Sequence, residues 1–201
     1  MSYRAIVAIL ALILGAPALA DTIAVIGTGD VGGALGPEFA AQGHTIVYGS
    51  RDPQRGKVTE LVEKTGDLAS ATTPAEAAAQ ADIVVLAVPG LMVEEITKSL
   101  GDLSGKIIID PTNPLERRMN RLEHAVDTSN AEIIQAAAPG AYVVKAFNTL
   151  NWKTMVDPSS AGGPVSIPLV GDNGRAKKIV AELVAGMGLE PIDVGPLRDA
   201  R

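Results

Sequence analysis

A short apolar run, Ile23-Ala24-Val25-Ile26, feeds directly into Gly27-Thr28-Gly29-Asp30-Val31-Gly32, and this junction constrains the chain more than any other feature. Three glycines at that spacing suit a strand that turns tightly into a helix. Gly27 permits the turn, Gly29 leaves room for a ligand to approach the backbone, and Gly32 lets the helix sit close on the strand. The helix N-terminus beyond them offers unpaired N–H groups and a partial positive charge, which suits a pyrophosphate. Glycine is abundant, at 21 of 201 residues, so the pattern alone says little. Its weight comes from context: a buried strand before it, a helix after it, and a second strand about twenty residues on.

From Asp21 onward short apolar runs alternate with helical stretches, the pattern of a parallel α/β sheet. The predicted strands are Ile23–Gly27, Thr45–Tyr48, Ile83–Ala87, Lys106–Asp110, Tyr142–Ala146, Ser166–Val170 and Pro191–Val194. Ile83-Val84-Val85-Leu86 is apolar on both faces, as a strand covered by helices on each side must be. The expectation is an α/β, doubly wound Rossmann-type NAD(P)-binding fold with a mostly parallel sheet, in a single domain over residues 21–201. Thr73 before Pro74 reads as a helix N-cap followed by proline in the first turn. Ala176, Ile179, Val180, Leu183, Val184 and Met187 form one apolar stripe, and Gly186 and Gly188 end that helix. Gly36-Pro37 falls inside the first helix, where a kink near Gly33–Pro37 is expected. His44 is placed in a solvated surface turn and His124 in a polar helix.

Composition narrows the function classes. The chain is 47% hydrophobic and 20% charged, which favours a packed globule over disorder. Only 3% is aromatic, so the core must be mainly Ala, Val, Ile and Leu. A formal net charge of −6 argues against a nucleic-acid partner. The absence of cysteine excludes disulfides, thiolate zinc sites and redox dithiols, and leaves the compartment open. At the N-terminus Arg4, the apolar run Ala5–Leu14 and the small residues of Ala18-Leu19-Ala20 read as a signal peptide over residues 1–20, cleaved before Asp21. The run is short for a membrane span, so no stable span is expected after cleavage. A periplasmic or secreted location follows. The alternatives are a mis-chosen start codon or an uncleaved anchor, with a cytoplasmic location where there is no export.

The end of the second strand bears on which dinucleotide fits. NAD sites usually place an acid there for the ribose 2′-hydroxyl. This chain has Tyr48-Gly49-Ser50-Arg51, with Arg55 one helical turn on. A hydroxyl and two guanidinium groups suit the 2′-phosphate of NADP(H). Asp52 points the other way, since it can bond an NAD ribose, and a solvated loop arginine is the plain reading of Arg51. Further strand ends, Ala87-Val88-Pro89, Asp110-Pro111-Thr112-Asn113-Pro114 and Ala146-Phe147-Asn148-Thr149, lie where a nicotinamide half would sit. Asn113 and Asn148 read equally as turn residues.

With these segments assembled, the chain resembles the NADP-dependent oxidoreductases that reduce deazaflavin (coenzyme F420). It is also similar to the NADPH domain of the STEAP-type metalloreductases. The likeness rests on Ile26–Gly32, Gly49-Ser50-Arg51-Asp52-Pro53, Asp110–Pro114, Val144–Thr149, Pro168–Asp172 and Pro191–Leu197. It implies that Thr28, Gly29, Asp30 and Val31 contact the pyrophosphate, and that Ser50, Arg51 and Arg55 hold the 2′-phosphate. Ala87, Val88, Pro89, Asn113 and Ala146 would line the ribose and nicotinamide. It implies a hydride transfer to coenzyme F420 or a flavin as second substrate, with no acid–base or metal-ligating residue required. A non-catalytic NADP(H)-binding protein and a reductase of a small imine or carbonyl are the alternatives. Trp152 either flanks the acceptor ring or belongs to core or surface, and Arg117, Arg118 and Arg121 form a basic cluster, either solvated or receiving an anionic acceptor. In the family the chain usually continues into a further helix that helps form the second-substrate pocket or a dimer contact; a homodimer is compatible with the resemblance.

Overall fold

The computed structural model describes residues 20–118 and 121–201. The predicted signal peptide therefore lies outside the described residues except for Ala20, as do the side chains of Arg117, Arg118 and Arg121. Among the described residues no helix is long and apolar enough to cross a membrane.

The chain alternates strand and helix from its first described element. β1 (Thr22–Ile26) leads into α1 (Asp30–Ala41), followed by β2 (Thr45–Gly49), α2 (Gly56–Thr65), β3 (Ala69–Thr72), α3 (Pro74–Gln80) and β4 (Ile83–Leu86). After a 3-10 turn at Gly90–Met92 come α4 (Val93–Ser99), β5 (Ile107–Asp110), the hairpin β6 (Leu115–Arg118) and β7 (Arg121–His124), α5 (Asn130–Ala137) and β8 (Tyr142–Lys145). The remainder is α6 (Trp152–Val156), β9 (Ser166–Val170), α7 (Gly174–Gly186) and β10 (Glu190–Gly195). Eight strands form one sheet in the order β10-β9-β8-β5-β4-β1-β2-β3. Connections leave β1 in opposite directions, toward β2 on one side and β4 on the other, so a topological switch point opens at the end of β1.

The mostly parallel sheet is as predicted, but its far edge is not parallel. β9 runs antiparallel to β8, through the pair Lys145 and Val170, and β10 follows β9 in parallel. Their apolar residues carry no signature of direction. Three strands escaped the sequence reading. β3 is Ala-Ser-Ala-Thr, too small and polar to register as a strand, and it forms only because β2 offers a free edge. β6 and β7 pair with each other in a separate two-stranded sheet. His124 thus ends a strand, where a polar helix was expected; charged residues on a short ribbon do not show period 2 in hydropathy.

The core is mainly aliphatic, as the aromatic scarcity requires, with Phe39, Tyr48 and Phe147 its fully buried aromatics. Ile83 to Leu86 are all buried, each worth about 1.5–3 kcal/mol. One face of the sheet carries Ile23, Val25, Val85, Ile109 and Val144 against α1 and α7; the other carries Ala24, Val84, Ile108 and Val143 against α3 and α5. Thr73 caps α3 with a reciprocal capping box to Glu76, and α7 buries Ala176, Val180, Leu183 and Val184 as the stripe predicts. α1 continues through Pro37 to Ala41. Gly36 just before it has a packing cause: a Cβ there would stand 2.1 Å from the Tyr48 hydroxyl. Tyr48 is fully buried and its hydroxyl bonds Thr65 at 2.8 Å; burial pushes its pKa up to about 12. His44 does sit in a turn, but its ring is largely covered and its Nδ1 accepts the Asp21 amide at 3.2 Å, so it is not simply solvated.

Candidate functional site

The glycine turn after β1 is fixed by contacts that leave no room for side chains. Gly27 has φ +101°, and a Cβ on it would fall 2.2 Å from the Ala87 carbonyl oxygen. A Cβ on Gly32 would fall 2.0 Å from the Gly27 carbonyl oxygen. Gly29 is different: a Cβ there meets nothing within 4 Å. The space in front of it belongs to the cleft. The Gly27 amide donates to the Gly49 carbonyl at 3.1 Å, tying the turn to the end of β2. Gly29 caps α1 without a side-chain hydrogen bond, so the first-turn amides remain available to an anion. Asp30, in that same turn, is exposed and lines the cleft.

The cleft itself measures about 200 Å3 and is lined by Gly29, Asp30, Val31, Ala87, Val88, Gly90, Pro111, Thr112 and Asn113. The ends of β1, β4 and β5 thus converge as the switch-point rule requires. Of the predicted residues, Gly29, Asp30, Val31, Ala87, Val88 and Asn113 come together here. Thr28 is half-buried beside them, and Pro89 faces solvent at the start of the 3-10 turn. Ala146 does not reach the cleft surface: it is fully buried in the core cluster, beneath the loop that follows β8. Gly27 and Gly32 shape the turn.

Ser50, Arg51 and Arg55 lie beyond the end of β2. The Ser50 hydroxyl and Asp52 backbone bond each other, at 3.0 and 3.3 Å, in a local turn. Arg51 and Arg55 are exposed, and among the described residues neither takes part in an ion pair. Both guanidinium groups lie in the segment between β2 and α2, Arg55 directly preceding the helix.

Asn113 and Asn148 are more than turn residues. The Asn113 amide donates to the Asn148 carbonyl at 2.8 Å, and the Asn148 amide donates to Asn113 Oδ1 at 3.1 Å. Between them Phe147 holds φ +66°, the one non-glycine residue with positive φ among the described residues. Such a conformation costs about 1–2 kcal/mol. Burial of the Phe147 ring, edge-on to Phe39 with centroids 6.3 Å apart, holds it in place. Trp152 begins α6, half-buried against the core cluster with Lys153 over its ring, outside the cleft-lining set.

Sequence reasoning missed a buried network behind this wall. Lys145 Nζ donates to Asp110 Oδ2 at 2.9 Å and to the Thr112 carbonyl at 2.7 Å. The Thr112 amide and hydroxyl both donate to Asp110 Oδ1, at 2.9 and 2.6 Å. Asn130 then donates to the Thr112 hydroxyl at 2.7 Å and to the Gly90 carbonyl at 3.0 Å. A signal did exist: Ile107-Ile108-Ile109 and Tyr142-Val143-Val144 end in opposite charges, Asp110 and Lys145.

Glycine turn, uncapped helix and switch-point cleft define a dinucleotide-binding protein of the Rossmann class. Residues 22–114 match the family described as NADP oxidoreductase coenzyme F420-dependent. The F420-dependent NADP reductase of Methanothermobacter thermautotrophicus is 32% identical over 196 residues, covering 89% of this chain and 83% of that protein. A crystal structure from Arthrobacter sp. FB24, assigned as an F420-dependent NADP-reductase, superposes with TM-score 0.83 at 34% identity, over 90% of this chain and 88% of the other. Metalloreductase STEAP3 of Rattus norvegicus is 32% identical over 186 residues, 92% of this chain; the chain spans only 36% of that relative's length. The chain belongs to the coenzyme F420-dependent NADP oxidoreductase family. Reductive aminase and imine reductase structures from Aspergillus terreus, at 21% identity and TM-scores of 0.66 and 0.64, share the fold.

Proposed function

We propose that the cleft binds NADP(H) and that the protein moves a hydride between it and a flavin-like acceptor, coenzyme F420 or a flavin. One observation carries this reading: an uncapped helix N-terminus behind Gly29 shares an edge of the sheet with two unpaired arginines at the end of β2. Both groups favour phosphate, and they follow neighbouring strands whose ends pair Ile26 with Gly49, the arrangement one dinucleotide would bridge from pyrophosphate to 2′-phosphate. The backbone of Thr28, Gly29, Asp30 and Val31 takes the pyrophosphate. Ser50, Arg51 and Arg55 take the 2′-phosphate, each charged hydrogen bond contributing about 1.5–3 kcal/mol. Ala87, Val88 and Asn113 flank the ribose and nicotinamide, with Ala146 packing beneath.

The bound dinucleotide supplies hydride chemistry at nicotinamide C4. The protein's own contribution is to align two rings and keep water from between them, which needs no acid or base. Leu91, Met92 and Leu115 adjoin Gly90 and Asn113 at the cleft rim and are all exposed. An apolar rim at this place suits a flat heteroaromatic acceptor. The test is to mix the protein with NADPH and, separately, coenzyme F420, FMN, FAD or a ferric chelate while following nicotinamide absorbance. Oxidation with F420 or a flavin supports the reading; tight NADPH binding with no oxidation by any of them overturns it. Export stands as part of the proposal on the leader sequence alone, and an N-terminus at Asp21 in native exported protein is its test.

A further inference from the structure

We infer that Lys145 and Asp110 are positioning residues that set the geometry of the nicotinamide-side wall of the cleft. The inference rests on the cofactor reading above and deepens it. The β5–β8 ladder ends at the pair Asp110 and Lys145, with the Ala146 amide donating to the Asp110 carbonyl at 3.1 Å. Beyond that pair the strand ladder stops: Pro111-Thr112-Asn113 lines the cleft, and the chain after β8 bends at Phe147 through a left-handed conformation. Backbone pairing stops where the cleft begins.

Side chains take over the bracing. Lys145 spans the gap to the Thr112 carbonyl, and Asn113 and Asn148 close it further out with two reciprocal bonds. Asp110 holds the near end of the Thr112 turn through the Thr112 amide and hydroxyl. Asn130, the first residue of α5, carries the network across to the Gly90 carbonyl. Gly90 fits because a Cβ on it would stand 2.0 Å from the Asn113 carbonyl oxygen. The cleft segments after β4 and β5 are therefore tied to each other through Asn130 and Thr112, and to the turn after β8 through Lys145 and the Asn113–Asn148 pair.

Burial makes the arrangement rigid. Asp110 is fully buried, Lys145 is 4% exposed and Asn130 1% exposed. Among the described residues no buried side-chain polar atom lacks a partner. Fully satisfied networks in a low-dielectric interior specify one geometry. A buried ion pair is a poor device for stability, since apolar replacements of the same volume are often as stable or more so. Its location accounts for it better: Lys145 supplies a donor to a carbonyl that the sheet can no longer reach. Neither Lys145 nor Asp110 lines the cleft, so their effect on chemistry passes through Thr112, Asn113 and Gly90.

The test uses Lys145→Met, the compensated double variant Asp110→Asn with Lys145→Met, and Asn130→Ser. The double variant avoids the unpaired buried charge that threatens folding of the single one, and Asn130→Ser breaks the outer arm without unpairing any charge. NADPH affinity, the emission of bound NADPH and single-turnover oxidation by coenzyme F420 or FMN are measured on each folded variant. The phosphate ends of the cofactor are held elsewhere, so Kd is expected to stay within about threefold of wild type. Hydride transfer is expected to fall about ten- to a hundredfold, the scale of a misplacement near 1 Å, with lower nicotinamide emission. Folded variants with wild-type emission and wild-type transfer overturn the inference while leaving the cofactor reading intact. A wild-type protein that does not bind NADPH removes both. A Kd that weakens in proportion to thermal stability, with transfer per bound NADPH unchanged, assigns the network to folding and also overturns the inference.

Discussion

The two ends of the cleft are built on opposite principles. At the end of β2, Ser50, Asp52 and the Arg55 backbone bond within a few residues of one another, and the Arg51 and Arg55 side chains stand exposed, with no ion pair among the described residues. At the ends of β5 and β8, Asp110, Thr112, Asn113, Asn130, Lys145 and Asn148 each bond a partner 18 to 40 residues away, the first two, Asn130 and Lys145 buried and Asn113 and Asn148 half-buried. An exposed pair of cations can select a charged group but cannot fix a ring. A buried network can fix a wall but offers a ligand no free charge. In the proposed function, selection and alignment would thereby be separated along one sheet edge, with the glycine turn between them.

Breaking the turn should abolish the comparison altogether. Gly27→Ala forces a Cβ to within 2.2 Å of the Ala87 carbonyl oxygen at φ +101°. The expected destabilisation is about 3 kcal/mol or more, seen in a denaturant titration, with NADPH binding lost. A variant of wild-type stability and affinity would remove the turn from the account. Arg51→Ala acts on one end only. NADPH affinity should fall about ten- to a hundredfold while weak NADH binding barely changes; equal losses would show that Arg51 does not read the 2′-phosphate.

Asp30 sharpens the boundary between the ends. It places a carboxylate in the first turn of α1, where it favours the free helix but repels a pyrophosphate. Asp30→Asn should tighten NADPH and NADH alike, about three- to tenfold, as read by calorimetry. Weaker binding would mean that the carboxylate accepts a ligand hydrogen bond instead. The smallest effect concerns β2, the strand that leads to Ser50 and Arg51. The folded Tyr48 pKa is raised by burial to about 12, above its ordinary value of 10.0, against a smaller opposing effect of the Thr65 hydrogen bond. A raised value means full stability below pH 10 and loss as pH climbs from there toward 12. That loss is on the order of 1 kcal/mol by about pH 10.5, and Tyr48→Phe should flatten this part of the pH profile. An unchanged alkaline slope in the variant would assign the loss to other groups.

The contrast also explains what could be read from the sequence. The glycine turn, the Ser50–Arg55 segment and the α7 stripe are local patterns, and each lies where it was expected. The aliphatic runs of β1, β4, β5 and β8 declare a buried sheet by themselves. β3 was illegible because Ala69–Thr72 becomes a strand only through its neighbour. The reversal of β9 was illegible because chain direction leaves no trace in composition. The buried network was the largest omission, since nothing in Lys145 taken alone distinguishes a strut from a surface charge. Only adjacency of β5 and β8 brings Asp110 and Lys145 to within 2.9 Å. Ala146 was expected in the cleft from the family resemblance and its place at a strand end, but its side chain is fully buried in the core.

The central claim is that an exposed cationic end makes this cleft an NADP(H) site. Parallel calorimetric titrations of the unmodified protein with NADPH and NADH, at low and at high salt, test it most directly. NADPH should bind tighter by about ten- to a hundredfold at low ionic strength, with the advantage shrinking as salt screens the exposed arginines. Equal affinities for the two dinucleotides, or a preference for NADPH indifferent to salt, would contradict it.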